Sequence, residues 1–141
     1  MPLIRIVYFS ENRLGLVRRH SKIAELQAVA IARNGENEIT GALVYDDEWF
    51  VQVLEGEAQM VEATMQRIAK DPRHANVAVI SRKPISERRF GKWSMGFAER
   101  NPRTEVYFGE HWFNGGMNPH DMKDGDVLNL MDRLAKDGFM H

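Results

Sequence analysis

The chain has 141 residues, 43% hydrophobic and 28% charged, with a formal net charge of −1, which suits one domain with a short appended element and gives no electrostatic reason to expect DNA or RNA as a partner. No stretch approaches the roughly 18 consecutive apolar residues of a membrane helix, and Met1-Pro2-Leu3-Ile4-Arg5 lacks a signal-peptide pattern, so a cytoplasmic protein without a membrane partner is expected. The absence of cysteine excludes disulfides, thiolate nucleophiles and cysteine-ligated metals.

Residues 3–10 are β-branched and aromatic and predict a strand. Alternation places Ile4, Ile6, Tyr8 and Ser10 on one face and Leu3, Arg5, Val7 and Phe9 on the other. A polar loop with Gly15 follows. Ser21 is placed to cap a helix running to about Asn34, with Ile23, Leu26, Ala30 and Asn34 along one side and Gly35 as its stop. Residues 39–45 and 49–55 form a hairpin around Asp46-Asp47-Glu48. A second helix over 58–71 carries the stripe Val61, Met65 and Ile68 and ends before Pro72. Residues 77–82 and 94–98 complete a βαββαββ order.

That order predicts an α+β, ferredoxin-like sandwich with both helices on one sheet face. Val7, Phe9, Val51 and Val53 leave the other face too apolar for water. Residues 105–113 are aromatic-rich, and residues 126–136 form an amphipathic helix with the stripe Val127, Leu130, Met131 and Leu134. The expected organisation is therefore a unit over 1–100 and a helical extension over 101–141. The extension folds back over the open face, either within the chain or partly in a homodimer.

Gln52 stands out within Phe50-Val51-Gln52-Val53-Leu54, because a buried amide needs partners for both its carbonyl and its NH2 group. Each unsatisfied group costs roughly 1–3 kcal/mol. Tyr8, on the helix-facing side of the first strand, also needs a partner when buried. If the strands are neighbours, phenol and amide can meet. From these residues alone, a structural hydrogen bond, or a Gln52 facing water at an edge, is a better explanation of the pair than a functional role.

The chain resembles the BLUF family of blue-light sensors using FAD over about residues 2–100. The matching blocks are Ile6-Val7-Tyr8-Phe9-Ser10, Asn34, Gly41 to Asp46, Phe50 to Gly56, Arg67, Asp71-Pro72-Arg73-His74 and Trp93 to Phe97. The resemblance implies non-covalent FAD, with FMN or riboflavin as alternatives, lying between the two helices. Leu26, Ala30, Thr64 and Ile68 would wall the ring, and Asn34 would bond its polar edge. Gln52 would bridge the ring to Tyr8, while Arg67, Asp71 and Arg73 would face the ribityl and phosphate side. Arg67 and Asp71 are four apart and would be neighbours on one helix. Arg33 stands where members vary and could reach flavin oxygens, and Ala30 stands where some carry Ser.

By the family mechanism, Tyr8 gives up an electron and then a proton through Gln52 and recovers both. Gln52 is left rotated or tautomerised. The route needs no thiol, which agrees with the missing cysteines; a cysteinyl–flavin adduct is excluded. Trp93 and Met95, two apart in the fifth strand and so on one side, match the family pair that exchanges places beside the glutamine. They would relay the change to the tail and so to an unidentified downstream protein. No residue is placed as acid, base or nucleophile for turnover, and the five histidines lack metal-motif spacing, so no enzyme is expected. The alternatives are a flavin-free regulatory or interaction module, an RNA-binding sheet, and an acyl-phosphate hydrolase. The acidic balance argues against the second, and the absence of an anion-cradling loop in residues 10–20 against the third.

Overall fold

The computed structural model describes residues 2–108 and 122–141. In chain order these give β1 (Leu3–Asn12), α1 (Arg19–Glu36), β2 (Thr40–Tyr45), β3 (Trp49–Glu57), α2 (Ala58–Lys70), β4 (His74–Ile85) and β5 (Gly96–Glu99). A short α3 (Glu105–Phe108) and α4 (Asp124–Lys136) follow. The strands form one sheet of order β4-β1-β3-β2-β5, in which β2 and β5 run parallel and the other neighbours antiparallel. Each of α1 and α2 therefore crosses over one intervening strand, the split βαβ arrangement expected of a ferredoxin-like fold.

Both faces of the sheet are buried over its central strands, while much of β4 stays half-buried or exposed. Ile4, Ile6, Tyr8, Leu43, Phe50 and Leu54 pack with Ile23 and Leu26 of α1 and Val61 of α2. On the opposite face, Val7, Phe9, Val44, Val51 and Val53 pack with Val127, Leu130, Met131 and Leu134 of α4. The tail covers the open face within the same chain, as the apolar stripe predicts. The aromatic segment 105–113 is described as far as Phe108, which is buried in this second cluster. Its remainder, with His111 and His120, lies outside the described residues.

Several boundaries differ from expectation. Helix α1 begins at Arg19, two residues before Ser21, because Arg18 adopts a left-handed conformation (φ 55°) that turns the chain into the helix early. The Arg19 side chain is held there by Glu99 at 2.8 Å and by Asp47. Gly35 lies inside the last turn, and the left-handed residue beyond the helix end is Glu38 (φ 54°). β4 runs from His74 rather than residue 77, since its whole length pairs with β1. β5 starts only at Gly96, so Trp93 and Met95 lie before it.

Two constraints fix the centre of the sheet. A Cβ on Gly41 would stand 1.9 Å from the Val53 carbonyl oxygen, so no side chain fits where β2 crosses β3. Glu55, a fully buried carboxylate, accepts from the Arg5 guanidinium at 2.9 Å and from the backbone N–H groups of Arg89 (2.9 Å) and Phe90 (2.8 Å). Arg88 adds a bond to the Glu55 carbonyl at 3.0 Å. The connection from β4 to β5 is thereby pinned against β3 just ahead of Met95.

Leu134 has no exposed surface and packs with the sheet residues. Leu134→Ala is expected to lower unfolding free energy by about 2–5 kcal/mol in urea titration, the range for a buried leucine that leaves a cavity. A loss below about 0.5 kcal/mol would show that α4 does not cover the sheet in solution.

Candidate functional site

The register of β1 against β3 places Tyr8 directly opposite Gln52. Both side chains point to the helix-bearing face, and the Tyr8 hydroxyl donates to Gln52 Oε1. Gln52 Nε2 in turn donates to Met95 Sδ at 3.2 Å. An amide has two donor and two acceptor valences. One of each is used by Tyr8 and Met95, which leaves Gln52 able to bond a further group. Burial, and then the charge of Asp71, push the Tyr8 pKa far up, so the phenol keeps its proton and acts as donor.

Gln52 forms part of the wall of a cleft between α1 and α2. Leu26, Ala30, Arg33 and Asn34 line it from α1, and Thr64, Arg67 and Ile68 from α2. Asp71 and Arg73 close the end of α2, so every residue expected to contact a cofactor lines this one cleft except Tyr8, which reaches it through Gln52. Val29, Leu43, Leu54, His74 and Phe97 also line the cleft and were not expected there. The apolar members of that set follow the same faces as Leu26 and Phe50 and could have been read from strand alternation.

The side chains are arranged differently from expectation in two places. Arg67 does not pair with Asp71: α2 ends at Lys70, and Asp71 is extended (φ −77°, ψ 123°), which carries its carboxylate off the helix face. Arg67 donates to Thr64 Oγ1 at 3.1 Å, while Asp71 takes Arg73 at 2.6 Å. That guanidinium holds the Asp71 carboxyl below the usual carboxylate range. Asn34, buried, donates from Nδ2 to the Ser94 carbonyl at 2.8 Å, tying α1 to the segment that carries Met95.

Trp93 and Met95 are the second place. They do not share a side of the sheet. Met95 is buried on the cleft face beside Gln52, whereas Trp93 packs into the cluster beneath α4. Strict alternation holds only in a paired strand. Residues 93–95 lie in an irregular entry in which Trp93 N–H bonds the Phe90 carbonyl and Trp93 O accepts from Gly41.

The family model described as BLUF, sensors of blue light using FAD, matches residues 3–96. The photoactivated adenylate cyclase subunit beta of Euglena gracilis is 32% identical over 93 residues, 66% of this chain and 11% of that protein. The blue light- and temperature-regulated antirepressor BluF of Escherichia coli K12 is 36% identical over 74 residues, 52% of this chain. The chain spans only 18% of the length of the antirepressor. Among solved structures, BlsA in its photo-activated state superposes with a TM-score of 0.80 at 30% identity, covering 94% of each chain. BlrB, a BLUF protein in its dark state, gives 0.73 at 25% identity, covering 94% of this chain and 96% of the other.

The cleft suits a flavin chemically. Leu26, Ala30 and Ile68 offer opposed apolar surfaces for a flat ring. Gln52 keeps free valences at its edge, and Arg33, Arg67 and Arg73 supply cations for polar and anionic groups.

His74 is buried at the cleft end, with Nδ1 2.7 Å from Ser10 Oγ and its ring centroid 4.7 Å from that of Phe50. Burial lowers its pKa from 6.5 to about 4. The unfolded chain therefore takes up a proton near pH 6.5 that the folded chain refuses until about pH 4. The stability held by neutral His74 is complete above 6.5 and disappears as pH falls through about 4, a change on the order of 3 kcal/mol. Melting temperature is expected to drop between pH 7 and 4.5, and His74→Gln to flatten that slope. Parallel slopes for the two proteins would refute the buried neutral imidazole.

Proposed function

The chain belongs to the BLUF family, the sensors of blue light using FAD, and on that premise we propose that it is a blue-light receptor switched by the Tyr8–Gln52 pair. The observation that carries this reading is the hydrogen bond between those two side chains at the wall of the α1–α2 cleft. Bound FAD supplies absorption of blue light and a transient change of redox state. Leu26, Ala30, Thr64 and Ile68 would hold the ring, and Asn34, Arg33 and Gln52 would meet its polar edge. Arg67 and Arg73, the latter oriented by Asp71, would face the ribityl and phosphate side.

Tyr8 stores the proton that moves, since its hydroxyl is buried, protonated and already bonded to Gln52 Oε1. Inverting the Gln52 amide would turn Nε2 toward Tyr8 and Oε1 toward Met95 Sδ. The N–H···S contact at 3.2 Å would then become an encounter of two lone-pair-bearing atoms. Met95 has reason to move in the inverted state and none in the resting one. Tautomerisation would alter the same contact. Residues 1–100 act in this reading as the light-sensing unit and 101–141 as its output extension, without catalytic turnover by this chain. The signal passes by protein–protein contact to a separate partner.

Purified protein should be yellow, and blue light should move its absorption reversibly to the red. Tyr8→Phe and Gln52→Leu should each keep the flavin and lose the lasting red-shifted state. A slowly reverting red shift in Tyr8→Phe would rule out the assignment. A colourless protein that FAD cannot reconstitute would point instead to a flavin-free interaction module.

A further inference from the structure

β5 is an edge strand. Its inner side pairs with β2 from Gly96 to Glu99, and its outer side presents the Phe97 N–H and C=O. Such an edge is a template for pairing with another segment. Here the chain fills it with its own last described residues: Phe97 N–H donates to His141 O at 2.7 Å, and His141 N–H to Phe97 O at 2.9 Å. One residue earlier, Met140 is buried in the notch left by Gly96, where a Cβ would stand 2.8 Å from Met140 Cγ. The self-pairing is a single residue wide, so little backbone bonding holds it.

One side chain joins this latch to the cleft. Gln27 Nε2, on α1, donates to His141 O at 2.7 Å and to the Met95 carbonyl at 3.3 Å. Met95 is the residue whose sulfur accepts from Gln52. A continuous set of contacts therefore runs from Tyr8 through Gln52, Met95 and Gln27 to the tail segment on β5. An open groove lined by Ile23, Tyr45, Phe97, Glu99 and Arg103 adjoins the latched segment, so a longer strand there would meet further surface.

We infer that the outer edge of β5 is a strand-pairing site for an extended segment of a partner protein, kept closed in the dark by Phe139–His141. The occupant it fits is specified by the segment now seated there. It brings a free backbone N–H and C=O opposite Phe97 and, one residue before, an unbranched apolar side chain such as methionine for the Gly96 notch. Main-chain bonds supply the attraction and the notch the selectivity, the mode of β-strand addition. A shift of Met95 draws its carbonyl from Gln27 and loosens the shared bond to His141. The trigger rests on the light-sensing reading; the edge site does not.

Residue-resolved hydrogen exchange on the full chain, with the visible spectrum of the same sample, tests this. In the dark, the Phe97 and His141 amides should be protected. Under blue light, and already in the dark for Gln27→Ala, Phe97 should exchange about tenfold faster. A labelled synthetic peptide of this chain's residues 137–141 serves as probe. It should bind the illuminated protein and Gln27→Ala but not the dark wild type. Gly96→Val fills the notch, so it should free the Phe97 amide and still refuse the peptide. Equal Phe97 exchange in the dark, in the light and in Gln27→Ala, alongside a normal red shift, overturns the inference and leaves the light-sensing reading intact. A missing red shift with an open, peptide-binding edge in Gln27→Ala upholds the site and removes light as its trigger. Peptide binding by Gly96→Val equal to that by Gln27→Ala overturns the notch as its determinant, and the inference with it.

Discussion

The register between β1 and β3 is the constraint on which the molecule depends. A slip of one residue would send Tyr8 to the α4 face and Val7 to the cleft, because strand side chains alternate. The two-residue offset would keep the faces but separate the phenol from the amide. What prevents both is the pairing of Tyr8 with Gln52 at the centre of a ladder running from Leu3 opposite Glu57 to Glu11 opposite Trp49. Close packing of side chains of different size on the two faces makes either slip costly. The cleft chemistry is thus a by-product of a sheet whose packing admits one alignment.

The sheet also decides how information could leave the cleft. Both faces are covered, one by α1 and α2 and the other by α4. Side chains do not pass through a close-packed sheet, so a change at Gln52 reaches the far side only around an edge. β3 is the central strand and both edges lie two strands away, but Gln52 touches the entry to β5 directly through Met95, which lies on one face with Trp93 on the other. The two side chains are separated across the sheet and do not share one position in this structure.

Much of this was legible in the sequence, and the failures share a cause. β1, the hairpin and α2 could be read because apolar periodicity reports which side of an element faces the core. The α4 stripe Val127, Leu130, Met131 and Leu134 was legible for the same reason. The cofactor roles of Leu26, Ala30, Thr64 and Ile68, like those of Asn34 and Arg67, rested on family resemblance. Asp71 and the relation of Trp93 to Met95 were misread because these residues lie one to three positions outside a regular element, where periodicity says nothing about direction. His74 was overlooked because β4 begins three residues earlier than its apolar run. The left-handed Arg18 and Glu38 carry no composition signal at all.

Glu55 bears on how the chain assembles. Its carboxylate is fully buried, and two of its donors are the backbone N–H groups of Arg89 and Phe90, 34 and 35 residues further along. Seating a bare charge in the sheet centre costs several kcal/mol unless it is paired and hydrogen-bonded. Arg5 alone can offset only part of that cost. The backbone donors of Arg89 and Phe90 must therefore be in place wherever the face bearing Glu55 is closed off from water, which ties the path of the chain ahead of Met95 to the burial of one side chain on β3.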